Sequence, residues 1–242
     1  MLALSPLRPS EPAQGSPEPF LSVKRSLTGR LWLPRLAHSR DALAIAEKND
    51  LPEILGRVLA GRGVGVDEVE AYLTPTLRKL MPQPSAVIDM EKGAERLADA
   101  IMSGEAIGII ADYDVDGVTT AALMTLYLEA AGSRAAIHIP DRLTEGYGPS
   151  EAAVNALKEK GARLLLTVDC GVLAHDALAH AAALGMNAII VDHHLAGITL
   201  PQAYAVINPN RRDDLSGLGY LCACGVAMML VAATSRSLRK RG

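Results

Sequence analysis

Apolar and polar positions divide the chain into three stretches. Residues 1–20 are rich in Pro, Ser, Glu and Gly, and a disordered or extended tail is expected over residues 1–38. From Ser39 to about Leu80 apolar residues recur at helical spacing: Ala42, Ile45 and Ala46, then Ile54, Leu55, Val58 and Leu59, then Val66, Val69, Tyr72 and Leu73. Asp67 and Glu68 suit a helix start, and Pro75 follows its end. This spacing predicts a small N-terminal helical cap over residues 39–85, closed by the breaker run Met81-Pro-Gln-Pro-Ser85. Beyond it, over residues 86–242, short apolar runs alternate with helical segments. Strands are expected at Ala106–Ile110, Ala135–Ile139, Leu164–Val168 and Ala188–Val191. The helices between them are Val118–Ala131, Ser150–Lys160 and His175–Leu184, each stopped by a glycine: Gly132, Gly161 and Gly185. Uninterrupted apolar strands separated by helices specify an α/β fold, a parallel sheet flanked by helices.

Parallel sheets of this kind bind ligands beyond the carboxyl ends of their strands. The acids and histidines of the chain gather there. Asp112, Asp114 and Asp116 follow the first strand, Asp141 and Arg142 the second, Asp169 the third, and Asp192, His193 and His194 the fourth. Asp112, Asp114, Asp116 and Gly117 match the opening of a calcium loop, but its twelfth position would be Leu123, where a bidentate Glu is needed. A blander alternative is that the acids cap the helix that follows. Three carboxylates on one short segment repel one another unless cations sit between them, which favours metal binding. Carboxylates with imidazole and no thiolate suit Mn²⁺ or Mg²⁺, and so many anions suggest two ions bridged by an Asp. His193 and His194 are adjacent, so one is expected to ligate metal and the other to face substrate. His138, His175 and His180 read as structural or solvent-exposed.

Composition narrows the picture. Nearly half of the 242 residues are apolar, enough for a sizeable core. A net charge of −3 argues against a strongly basic nucleic-acid-binding surface, though a local groove is compatible with it. One Trp, one Phe and six Tyr leave no obvious stacking platform for bases. Cys170, Cys222 and Cys224 lack zinc spacing and read as reduced thiols of a cytosolic protein, with no base near Cys170 to make it a nucleophile. No membrane span and no signal peptide are expected.

Six ordered segments carry a family resemblance: Ala111-Asp-Tyr-Asp-Val-Asp-Gly-Val-Thr119, Ile139-Pro-Asp-Arg-Leu-Thr-Glu-Gly-Tyr-Gly148, Thr167-Val-Asp-Cys-Gly171, Val191-Asp-His-His194, Ile207-Asn-Pro-Asn-Arg211 and Leu221-Cys-Ala-Cys-Gly-Val-Ala227. With these the chain resembles the DHH phosphoesterase superfamily, and within it the RecJ-type single-strand-specific exonucleases. The resemblance implies a cytoplasmic two-metal nuclease that degrades single-stranded DNA from its 5′ end in repair and recombination, with a single-strand-binding protein or a repair helicase as partner. It implies Asp112, Asp114, Asp116, Asp169 and His193 as metal ligands, with Asp169 bridging the two ions. It places His194 at the scissile phosphate and Arg142, Tyr147, Gly148 and Arg211 along the DNA, with Arg212 beside them. Without such a role, Arg142 would form a surface salt bridge with Glu145. Ile110 stands where many superfamily members carry a His, which would leave one metal with fewer ligands. A further metal-binding Asp and two more domains are expected after the last helix, so residues 86–242 read as a catalytic domain that stops before its last motif. Asp213 and Asp214 do not match that motif. Two other readings stay open: a DHH hydrolase of short oligonucleotides, cyclic dinucleotides or pyrophosphate, and a non-catalytic nucleic-acid-binding remnant.

Overall fold

The computed structural model describes residues 19–35 and 40–242. Most of the expected tail, residues 1–18 and 36–38, lies outside the described residues. The chain divides into two compact units, Met1–Pro82 and Gln83–Gly242.

In the first unit, residues 19–35 form a 3-10 turn at Phe20–Ser22 and a loop in which Phe20 N donates to Trp32 O and Ser26 N to Arg30 O. Four helices follow: α1 (Arg40–Lys48), α2 (Glu53–Gly61), α3 (Val69–Leu73) and α4 (Leu77–Leu80). Ile45, Leu59, Val64 and Val69 form their buried core. α2 departs from its expected face. Ile54, Leu55 and Val58 lie exposed, while Gly56 and Leu59 are buried. The cause is Gly56: a Cβ there would stand 2.2 Å from Ala42 O, so the two helices meet backbone to backbone along the glycine.

The second unit contains α5 (Met90–Ser103), β1 (Ile107–Ala111), α6 (Val115–Ala130), β2 (Ala135–His138), α7 (Glu151–Glu159), β3 (Leu164–Val168), α8 (His175–Ala183), β4 (Asn187–Val191), β5 (Ala205–Ile207) and α9 (Ala223–Arg241). The strands form one parallel sheet in the order β2-β1-β3-β4-β5. Side chains alternate between its faces. Ile110, Leu165, Ile190 and Val206 meet α7 and α8 through Val154, Leu157, Leu178 and Ala181. Ile189, Ala205 and Ile207 point the other way, to α5, where a Cβ on Gly93 would come within 2.7 Å of Ile207 Cδ1. Both faces are thus covered, as the apolar strands require. α5 and β5 escape the sequence pattern, the first because it follows a breaker run and the second because three residues carry no readable period.

Several boundaries shift by one residue, and one by three. β1 runs to Ala111, and α6 begins at Val115, three residues before the expected start. Asp114 causes the early start: its carboxylate accepts Gly117 N at 3.0 Å and caps the helix. Asp116 and Gly117 therefore occupy the first helical turn. A calcium loop cannot form on helical backbone, which removes that alternative.

The chain passes from β1 to β2 on one side and then crosses to β3 on the other. Between β1 and β3 the winding reverses, which opens a crevice at the strands' carboxyl ends.

Candidate metal centre

Asp169 stands at that crevice. It follows β3 with φ of 59°, a left-handed backbone that Asp tolerates at a cost of roughly 1–2 kcal/mol. Its amide donates to Val191 O at 2.9 Å, which holds the turn. Gly171 (φ 109°) completes it; a Cβ there would meet Thr167 Oγ1 at 2.4 Å. The Asp169 side chain is 1% exposed, and neither carboxylate oxygen has a hydrogen-bond donor. Burial, with Asp116, Asp114 and Asp192 nearby, pushes its carboxyl up to about 8. A buried carboxylate without donors is costly unless a cation faces it.

Two donor sets converge on this residue. Asp169, His193 and His194 bring ligand atoms within 4.8 Å of one another, as do Asp112, Asp114 and Asp169. Asp169 belongs to both sets, the place of a bridging ligand between two cations.

The histidine set is braced from several loops. His193 Nδ1 donates to Leu221 O at 3.1 Å, which leaves Nε2 as the bare nitrogen, 3.3 Å from Asp169 Oδ1 and 3.6 Å from Asp116 Oδ2. His194 gives Nδ1 to Asp192 Oδ1 at 2.8 Å, leaving Nε2 available. Asp192 is buried and accepts four hydrogen bonds: from Val172 N, His193 N, His194 N and His194 Nδ1. It orients the His194 imidazole and fixes the backbone of both histidines without joining either ligand set. Asn208 and Asn210 donate to the carbonyls of His194 and His193. The sequence alone assigns no separate role to Asp192 or to the two asparagines. Their signal is present in Val191–His194 and Ile207–Arg211, but a support role shows only in space.

The carboxylate set is local. Asp112 Oδ1 accepts Tyr113 N at 2.7 Å, and burial raises its carboxyl. Asp114 remains exposed, and the Gly117 N hydrogen bond lowers its carboxyl. A Cβ on Gly117 would stand 2.2 Å from Asp112 O, so the helix starts pressed against the loop that carries these acids. Ile110 points into the core cluster and offers nothing to a metal. Asp112, Asp114 and Asp169 bring three carboxylates together on this side. Asp116 lies outside both sets. Its oxygens accept Ala223 N at 2.7 Å and Cys224 N at 3.0 Å, capping α9. The capping alternative thus describes Asp114 and Asp116 in part, although Asp116 caps a helix more than a hundred residues away.

The residues expected along a substrate separate into two groups. Tyr147 reaches the centre: its ring meets His194 edge to face at 6.1 Å, and its hydroxyl lies 3.4 Å from Asp169 O. Gly148 (φ 78°) turns the chain beneath it. Arg142 lies over the ring of Tyr113 at 5.5 Å. It does not pair with Glu145, which instead holds Asp141 N and His138 Nε2. Arg211 requires a correction. Its side chain is 9% exposed and its guanidinium gives its donors to Asp89, Asp213 and Val206 O, so it braces the fold and is not free for a phosphate. Arg212 has no ion pair among the described residues. His180 bonds Asn155, and His175 lies on the exposed side of α8. Cys170 is buried, with burial pushing its thiol far up, which rules out a thiolate nucleophile. No helix among the described residues is long and apolar enough to cross a membrane.

Comparison with known proteins gives this centre its context. The single-stranded-DNA-specific exonuclease RecJ of Salmonella typhimurium is 38% identical over 194 residues, 80% of this chain and 33% of that protein. The solved structure of exonuclease RecJ bound to manganese superposes with a TM-score of 0.57 at 32% identity, covering 63% of this chain and 38% of that one. RecJ from Thermus thermophilus in complex with Mn²⁺ gives 0.66 at 25% identity, covering 84% and 28%. The chain spans about a third or less of the length of the curated relatives it matches. The family model for the DHH family, N-terminal domain, matches residues 106–241, the stretch that contains every strand and both donor sets. The chain therefore belongs to the DHH family and carries its N-terminal domain.

Proposed function

We propose that this chain is the metal-binding part of a single-strand-specific DNA exonuclease that hydrolyses phosphodiester bonds from the 5′ end. The observation that carries the reading is the Asp169 carboxylate: buried, without donors, and shared by two donor sets. In this reading Asp169 would be shared by two Mn²⁺ or Mg²⁺ ions; Asp112 and Asp114 would help hold one and His193 the other. Asp116, with Oδ2 3.6 Å from His193 Nε2, would face the same ion as His193 while capping α9. The ions would supply Lewis acidity to the phosphate oxygens and lower the pKa of water to the neutral range. His194, with Nδ1 held by Asp192, presents Nε2 to a non-bridging oxygen of the scissile phosphate. Tyr147 and Gly148 shape the wall beside it, and Arg142 offers paired N–H groups to a neighbouring phosphate. The relatives named RecJ and the manganese-bound structures support both substrate and metal. The wider reading, a cytoplasmic repair enzyme fed by a single-strand-binding protein or a helicase, follows the same relatives.

The test is a set of parallel incubations with Mn²⁺ and end-labelled single-stranded DNA, a dinucleotide and pyrophosphate. Stepwise release of nucleotides from the 5′ end, lost in Asp169→Ala, is the expected result. Turnover of the dinucleotide or pyrophosphate alone would replace this reading with a small-substrate hydrolase. DNA binding without turnover of any of the three would leave a binding module.

A further inference from the structure

We propose that Tyr113 is a positioning residue for DNA, acting through Arg142: its ring face, between Asp112 and Asp114, holds the guanidinium. This rests on the reading of Arg142 as a phosphate contact.

Tyr113 sits between Asp112 and Asp114, with its backbone fixed by donation to Asp112 Oδ1. Its ring is set by Tyr147, which meets it edge to face at 6.4 Å with planes 84° apart. Tyr147 in turn meets His194, and His194 meets His193 at 4.8 Å. Arg142, Tyr113, Tyr147, His194 and His193 thus form a continuous row ending on the ligands. Beyond Arg142 the row is made of tyrosines and histidines, which composition alone does not suggest.

The turn carrying Arg142 is pinned on both sides. Asp141 Oδ1 accepts Leu143 N and Thr144 N, while Glu145 Oε1 accepts Asp141 N and Glu145 Oε2 meets His138 Nε2 at 2.7 Å. Those bonds occupy the acids beside Arg142 with other partners, and among the described residues the guanidinium has no ion pair. What holds it is the Tyr113 face. A guanidinium stacked on an aromatic ring keeps its N–H edge free, whereas one paired with a carboxylate has spent that edge. The cation–π contact therefore orders Arg142 in advance without a carboxylate partner, which leaves N–H groups for a phosphate oxygen.

The experiment measures affinity of the whole chain for a short 5′-phosphorylated oligothymidylate with phosphorothioate linkages, in Mn²⁺, by fluorescence anisotropy. Tyr113→Phe keeps the ring face and should bind as wild type. Tyr113→Leu should weaken binding by roughly two- to fivefold. In an Arg142→Ala background, Tyr113→Leu should cause no further loss. Thermal melting and Mn²⁺ titration confirm that each variant folds with its metal site intact. Equal loss in both backgrounds would overturn the inference, since Tyr113 would then act on DNA or on the metal loop directly. Loss in Tyr113→Phe would overturn it in favour of the hydroxyl, and wild-type affinity in Tyr113→Leu would do so outright. An Arg142→Ala variant that binds as wild type would instead sink the underlying assignment of Arg142.

Discussion

The two halves of the candidate metal centre are built on opposite plans. The carboxylate half is braced from within its own segment: Asp112 by the next amide, Asp114 by Gly117 three residues on. The histidine half is braced from afar, by Val172, Asn208, Asn210 and Leu221. Metal ligands need their orientation fixed by a surrounding set of hydrogen bonds. Here one half obtains it by local turn chemistry and the other by tertiary structure. Asp169 belongs to both, which makes it the residue whose loss should act most strongly.

Asp169→Ala removes a ligand from both sets at once. On the proposed reading, nuclease activity should fall roughly a thousandfold or more, in keeping with the several kcal/mol that metal-assisted charge stabilisation supplies. Calorimetric titration with Mn²⁺ should show both binding events weakened. A variant that loses only one would mean that Asp169 does not bridge. Chelation of the wild type should lower its melting temperature, and the same treatment of Asp169→Ala should shift it much less.

Gly117→Ala tests the local plan. The added Cβ would sit 2.2 Å from Asp112 O, and the neighbouring atoms are backbone, which cannot swing aside. We expect a stability loss of about 1–3 kcal/mol and displacement of the carboxylate half. Thermal melting measures the first, and selective weakening of one Mn²⁺ event measures the second. If both Mn²⁺ events weaken equally, the two halves are not independently built.

Asn210→Ala tests the distant plan. Asn210 Nδ2 donates to the carbonyls of His193 and Gly219. Its removal frees the strand-end loop carrying the imidazoles, and Mn²⁺ affinity should fall roughly ten- to a hundredfold, the range for lost supporting groups. The carboxylate half should be unaffected, since no hydrogen bond of Asp112 or Asp114 involves Asn210. Asparagine-to-aspartate at this position should be as damaging as alanine, because a carboxylate cannot donate.

The same contrast explains what is legible in the sequence. β3 lies at its expected bounds and the five-strand parallel sheet follows the expected class, because buried parallel strands are continuous apolar runs. The acids of Asp112–Asp116 are visible because they are dense and local. Yet the separate duties of Asp114 and Asp116 are not, since capping α9 from α6 depends on a chain crossing no periodicity encodes. Asp192 groups with its histidines in sequence, but its four accepted hydrogen bonds come from a tight turn and from the β3–α8 loop. Tyr113 is hidden between two acids that draw the chemical argument. In the N-terminal unit the apolar spacing of α2 names a face, and Gly56 moves the buried line elsewhere, because a missing side chain can direct packing as firmly as a large one.

Arg211 gives the smallest expected effect on the centre. By motif position it resembles a phosphate contact, but its side chain is held at Asp89, Asp213 and the Val206 carbonyl, where the hydrogen bonds it donates to these acids favour its charged form. Asp89 also accepts Val206 N, so the guanidinium and the start of β5 share one acceptor. Arg211→Gln should therefore cost stability, about 1–3 kcal/mol for hydrogen bonds to charged groups, measured by denaturant unfolding. Single-stranded DNA affinity at a temperature well below the transition should stay within about twofold, and its salt dependence should be unchanged, because no phosphate neutralisation is lost. A shallower salt slope in Arg211→Gln, with stability intact, would show that the guanidinium leaves Asp89 and Asp213 to meet the DNA, and that the distant bracing of this loop can be exchanged for substrate.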